Sequence, residues 1–257
     1  MPEFLTAIDW NQLLPFIAIG FAAQLVDGAL GMAFGVINST LLVTVMGVPP
    51  AVASASVHAV ETFTTAASGI SHVAHRNVDW KLFRRLVIPG MIGAVLGATV
   101  LSNVDASVAR PFVMAYLACI GLYLLLRAVR GEIKPRKPRV IAPLGLAGGF
   151  LDAAGGGGWG PVVTSNLLIQ GSTPRHTIGT VNTAEFFLTT TASIAFFVAL
   201  GWSAFTIHTL GILIGGVVAA PIGGLLAKRV PTRQLMALVG VLLTLTSAWS
   251  IYSALAR

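Results

Sequence analysis

The chain has a single cysteine, Cys119, and charged residues make up only 10% of its 257 residues, where a soluble domain carries about a quarter. One cysteine excludes an intramolecular disulfide and any cysteine-based metal motif. No glycine-rich loop is followed by a Lys-Ser/Thr pair, and the glycine spacing is not that of a dinucleotide fold, so nucleotide-driven chemistry has no support. His72, His75 and His208 lack metal-ligand spacing; no metal and no cofactor is expected. The apolar runs lack the two-residue alternation of a membrane barrel. The first eleven residues hold Glu3 and Asp9 and no basic residue, so the n-region of a cleavable signal is missing and the N-terminus is expected to be retained and external.

What is present is apolar sequence. Hydrophobic residues are 55% of the chain and the mean hydropathy is +0.85, and such runs find their solvent in a lipid bilayer, as helices that satisfy their own backbone polar groups. Long apolar segments lie at 51–74, 82–101, 112–126, 177–200, 204–227 and 235–255, of which 112–126 is the short one. Two further stretches, 13–46 and 141–170, are too long for one span and tight for two, and glycines interrupt both. A broken helix or re-entrant hairpin is expected in each. The fold expected is an all-α polytopic membrane protein of about 8 to 10 membrane segments.

The net charge of +7 is not a nucleic-acid footprint, because 13 of the 16 Lys and Arg sit in three short connections, at 76–85, 127–139 and 228–233. The positive-inside rule makes these connections cytoplasmic. No nucleic-acid partner is expected, and a homo-oligomer is left open.

The chain repeats itself. LVDGALGMAFG around Asp27 aligns with FLDAAGGGGWG around Asp152, 125 residues on, and SVHAVETFTT aligns with TVNTAEFFLT, which sets Glu61 against Glu185 and His58 against Asn182, 124 residues on. Residues 1–130 form a first membrane repeat, 131–140 a basic cytoplasmic linker, and 141–257 a second membrane repeat. Equivalent connections differ in charge: 76–85 is basic and its counterpart at 201–203 is uncharged, while 102–109 holds only Asp105 as its charge and its counterpart holds Lys228, Arg229 and Arg233. Equivalent loops therefore face opposite sides, which defines two inverted-topology repeats with a substrate site near the midplane between them.

Asp27, Glu61, Asp152 and Glu185 are four of the nine acids and all lie in apolar stretches, where a buried carboxylate costs about 2.5 kcal/mol or more. They serve either to carry protons or to orient broken helices by accepting freed backbone amides; for Asp27 and Asp152, capping of the half-helices that follow is the simpler alternative. Gly155, Gly156, Gly157 and Gly158 offer a run of amides suited to cradling an anion, whereas Gly93 with Gly97 and Gly211 with Gly215 read as close-packing surfaces between helices. Asn38, Ser39 and Thr40 follow the first break, and Thr164, Ser165 and Asn166 the second. His58 and Asn182 stand on the next helices. Asn38, His58, Asn166 and Asn182 are candidate neutral donors to a substrate, and His58 can share a helix face with Glu61.

These blocks, LVDGALGMAFG, GGFLDAAGGGGWGP, ASASVHAVETFTTAASG and GTVNTAEFFLTTTAS, with the basic central linker, resemble the sulfite exporter TauE/SafE family of bacterial membrane permeases over nearly the whole chain. The first block departs from the second in having Leu30, Gly31 and Met32 where the second has Gly155, Gly156 and Gly157. The resemblance implies an inner-membrane, multi-pass carrier for a small sulfur-containing anion such as sulfite, thiosulfate or an organosulfonate; with no ATP-binding motif in the chain, a secondary carrier driven by protons or by the membrane potential is expected. A carrier for a cation or metal ion held by the four carboxylates is the alternative. An intramembrane enzyme is disfavoured, since no zinc motif, Ser-His dyad or catalytic Asp pair is evident.

Overall fold

The computed structural model describes residues 10–30, 32–129, 138–164, 166–167, 170, 172, 174–205, 207–226 and 232–255. Among them are nine α-helices: α1 (Trp10–Leu30), α2 (Phe34–Thr44), α3 (Pro50–Ala74), α4 (Trp80–Asn103), α5 (Ala106–Val129), α6 (Ala142–Gly155), α7 (Pro174–Leu200), α8 (Ile207–Leu226) and α9 (Thr232–Leu255), with a π-helical turn at Gly160–Thr164 and a 3₁₀ turn at Trp202–Ala204. The described residues contain no strand. Trp80–Asn103, Ala106–Val129 and His176–Leu200 are long and apolar enough to cross a membrane, and shorter apolar stretches run through Leu13–Asp27, Phe34–Thr44, Thr209–Ala219 and Ala237–Trp249. Large side chains such as Phe63, Ile70, Ile88, Phe112 and Val198 are exposed, as they are where lipid rather than water is the solvent.

The segment expected to be short is not. Helix α5 extends beyond 112–126 at both ends: the Asp105 carbonyl accepts the amides of Val108 and Ala109 at its start, and Pro111 is taken into its second turn. Helix α4 starts where Asp79 Oδ1 accepts the amides of Lys81 at 2.9 Å and Leu82 at 3.1 Å, a carboxylate cap at a positive helix end. Both long stretches break as expected. Helix α1 stops ahead of Met32, and α2 restarts after Ala33, whose φ is 114°. Helix α6 ends on Gly156 at φ 75°, and the chain passes through Gly157 and Gly158 at φ 127° and 147° before Trp159. Most of the 131–140 linker, and the first nine residues, lie outside the described residues.

Packing joins the first part of the chain to the second. Helix α1 lies against α8, α4 against α6 and α7, α3 against α7 and α8, and α5 against α9. Glycine sets several of these distances: a β-carbon at Gly93 or Gly97 would strike the α6 backbone at Leu146, Phe150 and Ala154, and one at Gly211 or Gly215 would meet Leu13, Phe16, Ile17 and Phe21 of α1. The expected packing role of both glycine pairs is what the structure shows. Helices α3 and α7 cross in antiparallel order, with Thr62 opposite Ser193, Thr65 opposite Thr189 and Ser68 opposite Asn182. Helices α5 and α9 do the same, Gly121 meeting Leu243 and Thr244 while Gly240 meets Gly121 and Leu125.

Candidate transport site at the two helix breaks

Each break is organised by an aspartate that accepts an amide seven residues ahead. Asp27 Oδ1 accepts the Phe34 amide at 3.2 Å; Asp152 Oδ1 accepts the Trp159 amide at 2.8 Å. In both, a carboxylate on the helix before the break caps the first turn after it, satisfying an amide that lipid cannot. Asp152 does more. Its backbone carbonyl accepts the amides of Gly156 and Gly157, the latter at 2.7 Å, and its Oδ2 lies 3.1 Å from His58 Nε2. His58 is fully buried and Asp152 nearly so. The carboxylate that meets His58 is therefore Asp152 of α6, and not Glu61 three residues along α3.

The breaks meet each other in the interior. A β-carbon on Gly157 would strike the backbone of Gly35 and Val36, and one on Gly35 would lie 2.9 Å from both Gly157 Cα and Glu61 Oε1. Ser39 Oγ donates to the Gly156 carbonyl, Ser54 Oγ donates to the Ala153 carbonyl at 2.7 Å, and Tyr116 Oη donates to the Gly157 carbonyl at 3.2 Å. Gly155 and Gly158 lie against the Tyr116 ring and hydroxyl. Tyr116 was not legible as part of the site, because it lies in an unbroken apolar run with nothing polar at helical spacing to mark it.

The four acids form one electrostatic neighbourhood: Glu61 is within reach of Asp152, Glu185 and Asp27, and Glu185 of Asp152 and Asp27. Glu61 is buried, and its Oε2 has no hydrogen-bond partner among the described residues. No group of three or more His, Cys, Asp or Glu among the described residues is arranged to hold a metal ion.

The expected neutral donors are engaged internally, each within its own segment or, for Asn182, toward Ser68 and His72 of α3. Asn38 Nδ2 donates to the Phe34 carbonyl and Asn166 Nδ2 to the Val162 carbonyl, each at 2.8 Å. Asn182 Nδ2 donates to Ser68 Oγ at 3.3 Å and lies 3.4 Å from His72 Nε2. With the Gly156 and Gly157 amides on Asp152, this conformation is closed at the breaks. Buried groups without a partner among the described residues remain on both segments after the breaks: Asn38 Oδ1 and the hydroxyls of Thr40 and Thr164.

A bundle of helices apolar enough to cross a membrane, two of them broken beside buried carboxylates, has the features of the helical membrane transporters. The chain itself belongs to the sulfite exporter TauE/SafE family, whose profile matches residues 16–250. It is 43% identical over 247 residues to a protein of Bacillus subtilis (strain 168) described as "Probable membrane transporter protein YtnM", an alignment covering 93% of this chain and 82% of that protein. No solved structure matches it.

Proposed function

We propose that the protein is a secondary carrier that moves a small sulfur-containing anion, such as sulfite, thiosulfate or an organosulfonate, across the bacterial inner membrane, coupled to protons or to the membrane potential. The observation that carries this reading is the junction at Gly35 and Gly157, where two broken segments, one from each part of the chain, meet backbone to backbone beside four carboxyls. Sulfur is supplied by the family's description; the anion by the amides and hydroxyls that separation of the junction would release.

The junction also supports an architecture of two inverted repeats, residues 1–130 and 141–257. A twofold axis lying in the membrane plane sets counterpart helices antiparallel, whereas an axis along the membrane normal sets them parallel. The counterparts α3 and α7 run antiparallel, as do α5 and α9. Rocking of the repeats about such an axis opens the Gly35–Gly157 contact to one side at a time. An anion arriving beside Glu61, Asp152, Asp27 and Glu185 meets repulsion unless protons neutralise them, so binding of substrate and of protons are linked. Asn38, His58, Asn166 and Asn182, the amides of Gly155, Gly156, Gly157 and Gly158, and the hydroxyls of Thr40 and Thr164 are the groups that would turn toward the anion.

The cation reading draws on the unpartnered Glu61 oxygen. Proteoliposomes given an inward-acid pH gradient separate the two: uptake of at least one of sulfite, thiosulfate and sulfoacetate supports the anion carrier, and flux of sodium or a divalent cation with no anion flux replaces it.

A further inference from the structure

We infer that His58 and Asp152 form a one-proton latch that locks the second break to α3, so that loss of one proton loosens this break and not its counterpart. The inference rests on the carrier reading above and adds to it which residues hold the second break shut.

The proton count follows from the hydrogen bonds. His58 Nδ1 lies 2.7 Å from the Ser54 carbonyl oxygen, which can only accept, and 3.3 Å from Ser54 Oγ, whose one hydrogen is given to the Ala153 carbonyl at 2.7 Å. Nδ1 must therefore carry a hydrogen. The contact of 3.1 Å between Nε2 and Asp152 Oδ2 then needs one further proton, held as imidazolium facing carboxylate or as neutral imidazole facing carboxylic acid. Loss of that proton sets two lone pairs against each other in a buried site, and the contact cannot persist. Asp152 is also the group whose other oxygen and whose carbonyl hold the amides of Trp159, Gly157 and Gly156. Release of the latch therefore frees the aspartate that shapes the break.

Among the described residues the first break shows no such device. The counterpart of His58 is Asn182, an amide that does not titrate, and its Nδ2 is directed to Ser68 and His72. The acids and hydroxyls that face the latch are Glu61 on α3 itself, Glu185 on α7, Asp27 on α1 and Tyr116 on α5. Helix α2 and the Gly160–Thr164 turn carry no titratable side chain. The Lys81, Arg84 and Arg85 side chains of α4 are exposed, and the His208 side chain of α8 lies outside the described residues.

The test is hydrogen–deuterium exchange of the 152–160 segment in the purified full chain, from about pH 5 to about pH 9 and corrected for the intrinsic pH dependence of exchange. Wild type is expected to lose protection of the Gly156, Gly157 and Trp159 amides by about tenfold or more in one step as pH rises. His58→Gln, whose amide nitrogen reaches the Nε2 position, donates to Asp152 without titrating, and Asp152→Asn donates to neutral His58 Nε2 while still accepting the Trp159 amide; each should flatten the step, and either suffices if the other misfolds. Glu185→Gln, which removes a neighbouring charge and neither latch partner, should keep a step, though at a different pH. A step that persists in both latch variants, or no step in wild type, overturns the latch. Because the measurement uses no substrate, failure of every sulfur anion to move in proteoliposomes would count against the carrier and not against the latch.

Discussion

Thr65 and Thr189 face each other hydroxyl to hydroxyl at 3.4 Å, and in the alignment of the two blocks each is the other's counterpart, 124 residues apart. The neighbouring contacts are exchanged in the same way. His58 lies beside the Phe196 ring with centroids 5.9 Å apart, while Asn182, the counterpart of His58, lies beside His72, the counterpart of Phe196. Under the proposed two-repeat architecture, a residue that touches its own counterpart marks the twofold axis, which would pass between α3 and α7.

That axis fixes a prediction about sidedness. In a Cys119→Ala background, cysteines at the exposed positions Arg139 and Trp202 are expected to react with an impermeant maleimide from opposite sides of intact cells, Trp202→Cys from outside. Labelling of both from one side contradicts the inverted repeat.

The breaks make a prediction about backbone. Ala33 holds φ 114° with a side chain where its counterpart Gly158 holds 147° without one, and a non-glycine residue there stores strain of about 1 to 3 kcal/mol. Ala33→Gly relieves it at the cost of one buried methyl, about 0.8 kcal/mol. A rise in the unfolding temperature in detergent is expected; a fall means the methyl's packing outweighs the strain.

Glycine at the junction is predicted to matter more than glycine in a turn. Gly157→Ala places a β-carbon on the Gly35 and Val36 backbone, whereas Gly47, also at positive φ, has nothing within 4 Å of one. Gly47→Ala should cost about 1 kcal/mol, and Gly157→Ala that strain plus the clash. Equal losses in thermal unfolding, or normal transport by Gly157→Ala, would show that the breaks do not close on each other.

The acids carry a functional prediction. Glu61→Gln and Glu185→Gln remove titrating groups from the shared neighbourhood without emptying it, so each should shift the pH profile of transport. Both should keep membrane insertion, since a buried amide costs less there than a carboxylate. Two profiles superimposable on wild type would reduce the pair to packing.

The helical membrane class was legible from hydropathy, and the breaks from glycines inside runs too long for one span. Capping by Asp27 and Asp152 was legible as one of two alternatives, because an acid at the edge of a glycine-rich break has few other uses in lipid. The partner of His58 was not, since sequence spacing reports neighbours along one helix and Asp152 comes from 94 residues away. Nor was the engagement of the asparagines with carbonyls of their own segments, because composition shows that a donor exists and not where it points.

Counterflow tests the carrier at the breaks most directly, because exchange of substrate for substrate needs no driving ion. Proteoliposomes loaded with unlabelled thiosulfate, and in parallel sulfite or sulfoacetate, are diluted into a trace of the labelled anion. Wild type is expected to accumulate label transiently for at least one of the three. The double variant Thr40→Val and Thr164→Val should be as stable as wild type or more so, because it removes two buried hydroxyls that have no partner among the described residues, and it should lose the overshoot by about tenfold or more if each hydroxyl contributes about 1 kcal/mol to holding the anion. No overshoot with any of the three anions, or an undiminished overshoot in the folded double variant, would contradict the account.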